Sequence, residues 1–295
     1  MPHAPQIRLS PLKERRSKSR RPAITLLVLL ALISLPASGG GAGNGVLADL
    51  RESFSQGYFQ VVGKSGKGQS RYRATRSAAV EAQKKLVGII QRIRLGGLTP
   101  MGEAVTLKDV SGFLRGAVKC GESYDSEDGS AQVCMKLNLY GPEGLYERIL
   151  PFIEKPKGMP QKMQPMPSRP VEEGKGDKIH RSGPGDGLIL DVRGHDFTPA
   201  LFNRILTASD QIIFDPAGLS DHVLIDRGCG GYTSDMQKAR ALLSLWGSEH
   251  PLIVTCAGTR HGSDVRLHDE DVQELFKSDK TYRILEEAKV VFVLD

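Results

Sequence analysis

Residues 63–70 read GKSGKGQS, a spacing close to that of a phosphate-binding loop. Such a loop needs G-x4-G-K-[ST], because the lysine after the second glycine reaches the β/γ-phosphates and the hydroxyl meets the metal. Gly63 and Gly68 have that separation and Ser70 stands at the hydroxyl position, but Gln69 occupies the place of the lysine. An amide cannot supply the missing charge. The G-x-G-x-x-G fingerprint is also broken, since no glycine stands at 71 after Gly66 and Gly68. The segment is expected to be a turn between a strand and a helix, with no nucleotide and no other cofactor bound.

A second set of residues has the right types for hydrolytic or metal chemistry: His195, Asp196, His222, Asp226, His261, Asp264, His268 and Asp269. None falls into HExxH or G-x-S-x-G, and no two histidines are spaced i, i+4. The expectation is no catalytic residue, no metal and no enzyme. A hydrolase built on these groups is the alternative, and it requires His195, His222 and His261 to converge in one concavity.

The cysteines are Cys120, Cys134, Cys229 and Cys256, without the paired close spacing of a zinc site. GAVKCGESY and SAQVCMKLNLY flank the turn sequence DSEDG at 125–129. A hairpin centred on Glu127 places Cys120 directly opposite Cys134, at the separation a disulfide needs. Cys229 and Cys256 are expected to form a second disulfide, on the weaker ground that they remain.

Charge narrows the partners. The net charge is +6, yet residues 1–39 hold seven basic residues against one acidic, so the rest of the chain balances. A protein that neutralises nucleic-acid phosphates is basic over its binding face. Arg71, Arg73, Arg76, Lys84 and Lys85 form a basic run, but Glu81 interrupts it and Tyr72 is its sole aromatic neighbour. A solvated helix face is expected there, and no nucleic-acid partner. The basic segment Met1–Arg21, the apolar run Ala23–Leu35 and the small residues Ala37-Ser38-Gly39 after Pro36 form a secretory signal peptide pattern over 1–39. Thirteen apolar residues span about 20 Å of helix, short of a hydrocarbon core of about 30 Å, so no stable membrane anchor is expected after cleavage. No lipobox cysteine is present, and the expected location is periplasmic or secreted.

The elements that must position these residues fall into two units. Residues 46–152 contain an apolar β-rich run at Tyr58–Val62 and a helical stripe at 74, 78, 82, 86 and 90 within Ala74–Ile93. A helix start at Thr106-x-x-Asp109 and the cysteine hairpin follow. That order suits helices on one face of an antiparallel sheet. Residues 153–187 are rich in proline, methionine and glycine and read as a linker. Residues 188–295 alternate short apolar runs (Leu188–Val192, Gln211–Phe214, Leu252–Thr255, Val290–Leu294) with helical patterns at Asp235–Trp246 and Asp269–Phe276. The expected class is α+β, two small α/β-type domains, the first a helix-on-antiparallel-sheet sandwich.

The first unit resembles the small-lipoprotein family that also supplies the amino-terminal domain of flagellar assembly protein T. The resemblance is carried by the turn Gly63–Gly68, the helix Ala74–Ile93, GFLRGAVKCGESY (Gly112–Tyr124) and VCMKLNLY (Val133–Tyr140). The second unit is similar to the domain that follows it in exported bacterial proteins, through Leu188–Leu201, Gly262–Leu275 and Ile284–Asp295. The resemblance implies an envelope location, an envelope protein partner and a structural or adaptor role around assemblies such as the flagellar basal body. It supplies no catalytic residues. A ligand-binding module with a pocket between the domains is a further alternative.

Overall fold

The computed structural model describes residues 44–96, 99–100, 112, 114–152 and 184–295. The leader over 1–39, the helix start at Thr106 and most of the linker over 153–187 lie outside them. Of the described helices, none is long and apolar enough to cross a membrane.

Helix α1 (Asn44–Gln56) leads into strand β1 (Tyr58–Lys64), whose alternation buries Phe59, Val61 and Gly63 on one face. Helix α2 (Arg71–Arg92) buries Ala74, Ala78, Ala82, Leu86 and Ile90, the i, i+4 stripe read from the sequence. Alanine on that stripe lets the helix lie close to the sheet. At Gly63 the approach is closest: a Cβ there would stand 2.1 Å from Ala78 O and 2.3 Å from Ala82 N. The first glycine of the apparent phosphate loop is therefore a helix–sheet contact inside a strand. The rest of the loop is a turn held by backbone hydrogen bonds. Ser65 N donates to Ala131 O, Gly68 N to Asp128 O and Gln69 N to Gly129 O, so the amides that would cradle a phosphate are engaged by the neighbouring hairpin.

That hairpin joins β4 (Val118–Asp125) and β5 (Ser130–Asn138), and the antiparallel sheet runs β1-β5-β4 with α2 packed on it. Gly121 pairs with Cys134 and Lys119 with Met135, leaving Cys120 as the extra residue of a bulge. The register expected from Glu127 is thus off by one near the turn. The disulfide forms nevertheless, between the bulged Cys120 and Cys134, with Cα atoms 5.1 Å apart. On β5 the residues facing α2 are buried and Cys134 lies on the other face. The bridge therefore ties down an edge strand that buries little of its own surface.

A small ribbon, β2 (Arg94–Gly96) with β3 (Thr99–Pro100), and helix α3 (Leu145–Ile149) complete the first half. In the second half, β6 (Leu188–Asp191), β9 (Gly231–Thr233), β10 (Leu252–Thr255) and β13 (Val290–Val293) form a parallel sheet in the order β10-β6-β13-β9. Both faces are covered, which explains the continuous apolar runs. Ile189, Val291 and Val293 meet helix α5 (Met236–Leu245) through Ala239 and Leu243, whereas Leu188, Leu190, Val290 and Phe292 face the main core. A second sheet runs β11 (Gly258–Arg260), β12 (Asp264–Leu267), β7 (Ile205–Thr207), β8 (Ile212–Phe214). Helices α4 (Asp221–Arg227) and α6 (Asp269–Tyr282) flank these sheets in sequence. The fold is α+β.

The two halves share one hydrophobic cluster. Leu201 N and Phe202 N donate to Arg94 O and Leu95 O, extending β2 across the boundary. The Phe54 ring meets Tyr232 edge-on at 5.1 Å. The buried Tyr146 hydroxyl donates to Leu201 O at 2.7 Å, and Tyr232 donates to Ala200 O at 3.0 Å and also contacts Asn203 Oδ1 and Cys229 Sγ. Gly228 makes room for this network, because a Cβ there would lie 2.5 Å from the Tyr146 ring. Packed aromatics thus occupy the place where the sequence reading allowed a pocket between domains. At the linker's end, Gly185–Gly187 already belong to the fold: Gly185 N donates to Ser278 Oγ, and Asp186 accepts from Ser248 Oγ, Glu249 N and His250 N.

Candidate functional site at the carboxyl edge of the parallel sheet

Parallel strands end their carboxyl termini on one edge, and in open α/β sheets that edge is where ligands meet the protein. Here the four strands deliver polar groups to it. β6 ends in Asp191, β9 leads through Thr233 to Asp235, β10 ends in Thr255 before Cys256, and β13 leads to Asp295. The turn after β6 adds Arg193 and His195, and α1 contributes Arg51.

Salt bridges organise the cluster. Arg193 grips Asp191 side-on, Nε to Oδ1 at 2.8 Å and a terminal nitrogen to Oδ2 at 2.6 Å, the strong bidentate form of the pair. The Arg193 side chain stays 46% exposed while that of Asp191 is 18% exposed, so the carboxylate anchors a guanidinium that solvent still reaches. Hydrogen bonding from Arg193 holds the Asp191 carboxyl below the ordinary range against the opposing effect of burial. The charges of Asp295 and Asp235 act on Arg193 as well and raise its pKa further. Asp295 accepts from Gly194 N at 2.9 Å and lies 3.8 Å from Arg51, whose other terminal nitrogen donates to Phe197 O. Asp235 caps α5 through Lys238 N at 2.9 Å.

The cluster also has a thiol beside it, Cys256, directly after β10. Burial pushes the Cys256 thiol up and the nearby Asp191 charge adds to it. Cys229 is a buried thiol too, raised by burial within the tyrosine network. The expected Cys229–Cys256 disulfide is therefore corrected: both are free. Cys229 precedes β9 and Cys256 follows β10, strands on opposite edges of the sheet. Three strand spacings of ~4.8 Å separate those edges, beyond the reach of a disulfide.

The histidines that the alternative hydrolytic reading would bring together lie on separate elements. His195 is half-buried in the turn after β6, His222 is exposed on α4 and His261 is exposed in the turn between β11 and β12. Backbone contacts bring the segment after His195 beside that last turn, with Thr259 Oγ1 donating to Asp196 O and Thr198 N to Gly262 O. Asp226 pairs with Arg227, Asp264 is buried and accepts from Arg204 N, and His268 and Asp269 begin α6. Among the described residues no three His, Cys, Asp or Glu side chains are grouped to hold a metal ion.

Sequence reasoning missed Asp191, Arg193, Asp235, Asp295 and Arg51. A signal existed for two of them: LILD and VVFVLD each end a buried run on an acid. A charge closing an apolar strand marks the sheet's edge.

Fold and site together define an α+β protein with a salt-bridged cluster of charged side chains on a parallel-sheet edge. Residues 187–295, which carry all of that cluster except Arg51, match the family described as Treponema pallidum Tp0624, second domain. No curated protein matches the chain.

Proposed function

We propose that the chain is an exported, non-enzymatic envelope protein with a structural or adaptor role, and that its carboxyl-edge cluster engages an envelope protein partner. The observation carrying this reading is the Asp191–Arg193 pair, a guanidinium fixed in place yet open to solvent, among charged groups. Export is supported by the leader pattern over 1–39. A role in flagellar or outer-membrane-associated assembly rests on the resemblance of the first half. A periplasmic ligand-binding module is the second reading, favoured by the edge position where open parallel sheets hold small ligands.

The test is cross-linking in the envelope fraction, comparing wild type with Arg193→Glu and with Lys280→Glu at the far end of α6. The expected result is a processed protein in the envelope and an adduct lost only in Arg193→Glu. An unprocessed cytoplasmic chain, or the same adducts in both variants, overturns the proposal. A small molecule that raises the melting temperature of wild type but not of Arg193→Glu favours the second reading.

A further inference from the structure

Outside the carboxyl edge, the strongest unexplained feature is the outward face of α2. The helix carries six basic residues against one acidic, in a chain whose charge balances beyond residue 39. Opposite the buried alanine stripe, Tyr72, Arg76, Val80 and Lys84 follow at i, i+4 spacing, and Arg73 stands beside them. Tyr72 is 73% exposed and Val80 44%, unusual for large apolar side chains in this protein. These residues line an open depression of about 800 Å³. Arg76 touches the Tyr72 hydroxyl at 3.4 Å, and no salt bridge among the described residues involves Arg73, Arg76 or Lys84. Lys67 and Lys119, on the neighbouring turn and strand, are by contrast neutralised by Asp128 and Glu122.

The second half carries the opposite imbalance. The first two turns of α6 read DEDVQE, with Asp269, Glu270 and Glu274 exposed and without a salt bridge among the described residues. Burial pushes the Asp271 carboxyl up, and Glu270 and Glu274 push it the same way against His268. Glu270 and Glu274 stand one turn apart on the helix surface, a row that matches the guanidiniums of Arg73 and Arg76.

We propose that the α2 face is a self-association surface that docks the acidic start of α6 from a second copy of this chain. Opposite charges without a salt bridge among the described residues of one copy are paired between two, and Tyr72 and Val80 are covered at the centre of the contact. A bilayer surface is the poorer fit: a helix lying on lipid needs a broad apolar face, and here Tyr72 and Val80 are separated by Arg76 along the same row. Because the two mating patches differ, association is either reciprocal within a closed dimer or head-to-tail.

The test is sedimentation of the mature full chain, at low and at high salt, for wild type, Arg73→Glu/Arg76→Glu and Glu270→Arg/Glu274→Arg. All substituted side chains are at the surface, and melting curves verify that the variants fold. The expected result is wild-type self-association weakened more than tenfold by raising the salt. Each variant alone is weakened by a similar factor, and an equimolar mixture of the two associates again. A wild-type chain that stays monomeric at every salt, or a mixture that fails to associate, overturns the proposal. So does a monomer that instead binds phosphatidylglycerol vesicles through the same arginines. Should a variant fail to fold, the salt dependence of wild type and its blockage by a peptide spanning Asp269–Tyr282 decide the matter.

Discussion

Replacing Cys120 and Cys134 with serine removes the covalent tie of β4, and the structure sets the size of the effect. The bridge spans a sequence separation of 14, so chain entropy alone assigns it about 3 kcal/mol. Little else compensates. β4 is exposed along its length apart from Tyr124 and belongs to the sheet's edge in the order β1-β5-β4, so few buried contacts hold it once the bridge is gone. For a protein of this size about 3 kcal/mol corresponds to a fall in melting temperature of roughly 6–12 °C. Urea unfolding of wild type and of the double serine variant, each with and without reductant, measures it. Reductant should lower wild type to the variant's stability and leave the variant unchanged. Alkylation of the denatured, unreduced protein should modify two thiols, those of Cys229 and Cys256, and four after reduction. Four modified thiols without reductant, or a double variant as stable as wild type, would refute the reasoning.

Gly63→Ala drives a methyl into the α2 backbone at Ala78 and Ala82. It should destabilise by at least the upper end of the ~1–3 kcal/mol typical of overpacking, whereas Gly88→Ala, with open space at its Cβ in the same helix, should stabilise by ~0.5–1 kcal/mol; paired denaturation curves read both. Tyr232→Phe strips a hydroxyl from the buried network with Ala200 O, Asn203 and Cys229 and should cost about 1–3 kcal/mol, measured as a shift in urea midpoint at constant slope. The folded Asp191 carboxyl titrates below its unfolded value, principally through Arg193. Its contribution is therefore complete above the unfolded carboxylate range near pH 4 and is lost as pH falls through the lower folded value. Melting temperatures from pH 7 to pH 2.5 should show Asp191→Asn less stable at neutral pH and less sensitive to acid; equal acid sensitivity would count against the pairing.

The sequence was most legible where one physical signal repeats over many residues. The apolar stripe at 74, 78, 82, 86 and 90 specifies α2 because five side chains agree on one face. LILD, LIVT and VVFV are legible as strands because a parallel sheet covered on both sides leaves no polar alternation. The three-residue strands β7, β9 and β11 carry too few side chains to establish a period. The hairpin register failed at Cys120 because a bulge adds a residue to one strand without changing the composition of either. The free cysteines illustrate another limit. Counting leaves Cys229 and Cys256 as a pair, but strand order places them at opposite edges, and order is set by packing that no local window contains. The carboxyl-edge cluster was legible only as single acids closing LILD and VVFVLD, since its grouping depends on the order β10-β6-β13-β9.

The division of labour between the halves follows from where the charged groups are anchored. Asp191, Arg193, Asp235 and Asp295 all lie within the segment that matches the Tp0624 second-domain family, so that segment carries most of the cluster. Arg51 comes from the other half, and its reach to Asp295 and to Phe197 O depends on α1 being docked. The same helix places Phe54 against Tyr232, which stacks on Phe292 at 5.2 Å in the strand that leads to Asp295. One apolar contact therefore fixes the position from which the guanidinium acts. A substitution that loosens Phe54 withdraws Arg51 without touching any charged residue, and the carboxyl edge then loses a cation next to Asp295. The geometry of that edge is in this sense a property of the shared core, and the first half takes part in it through packing as much as through charge.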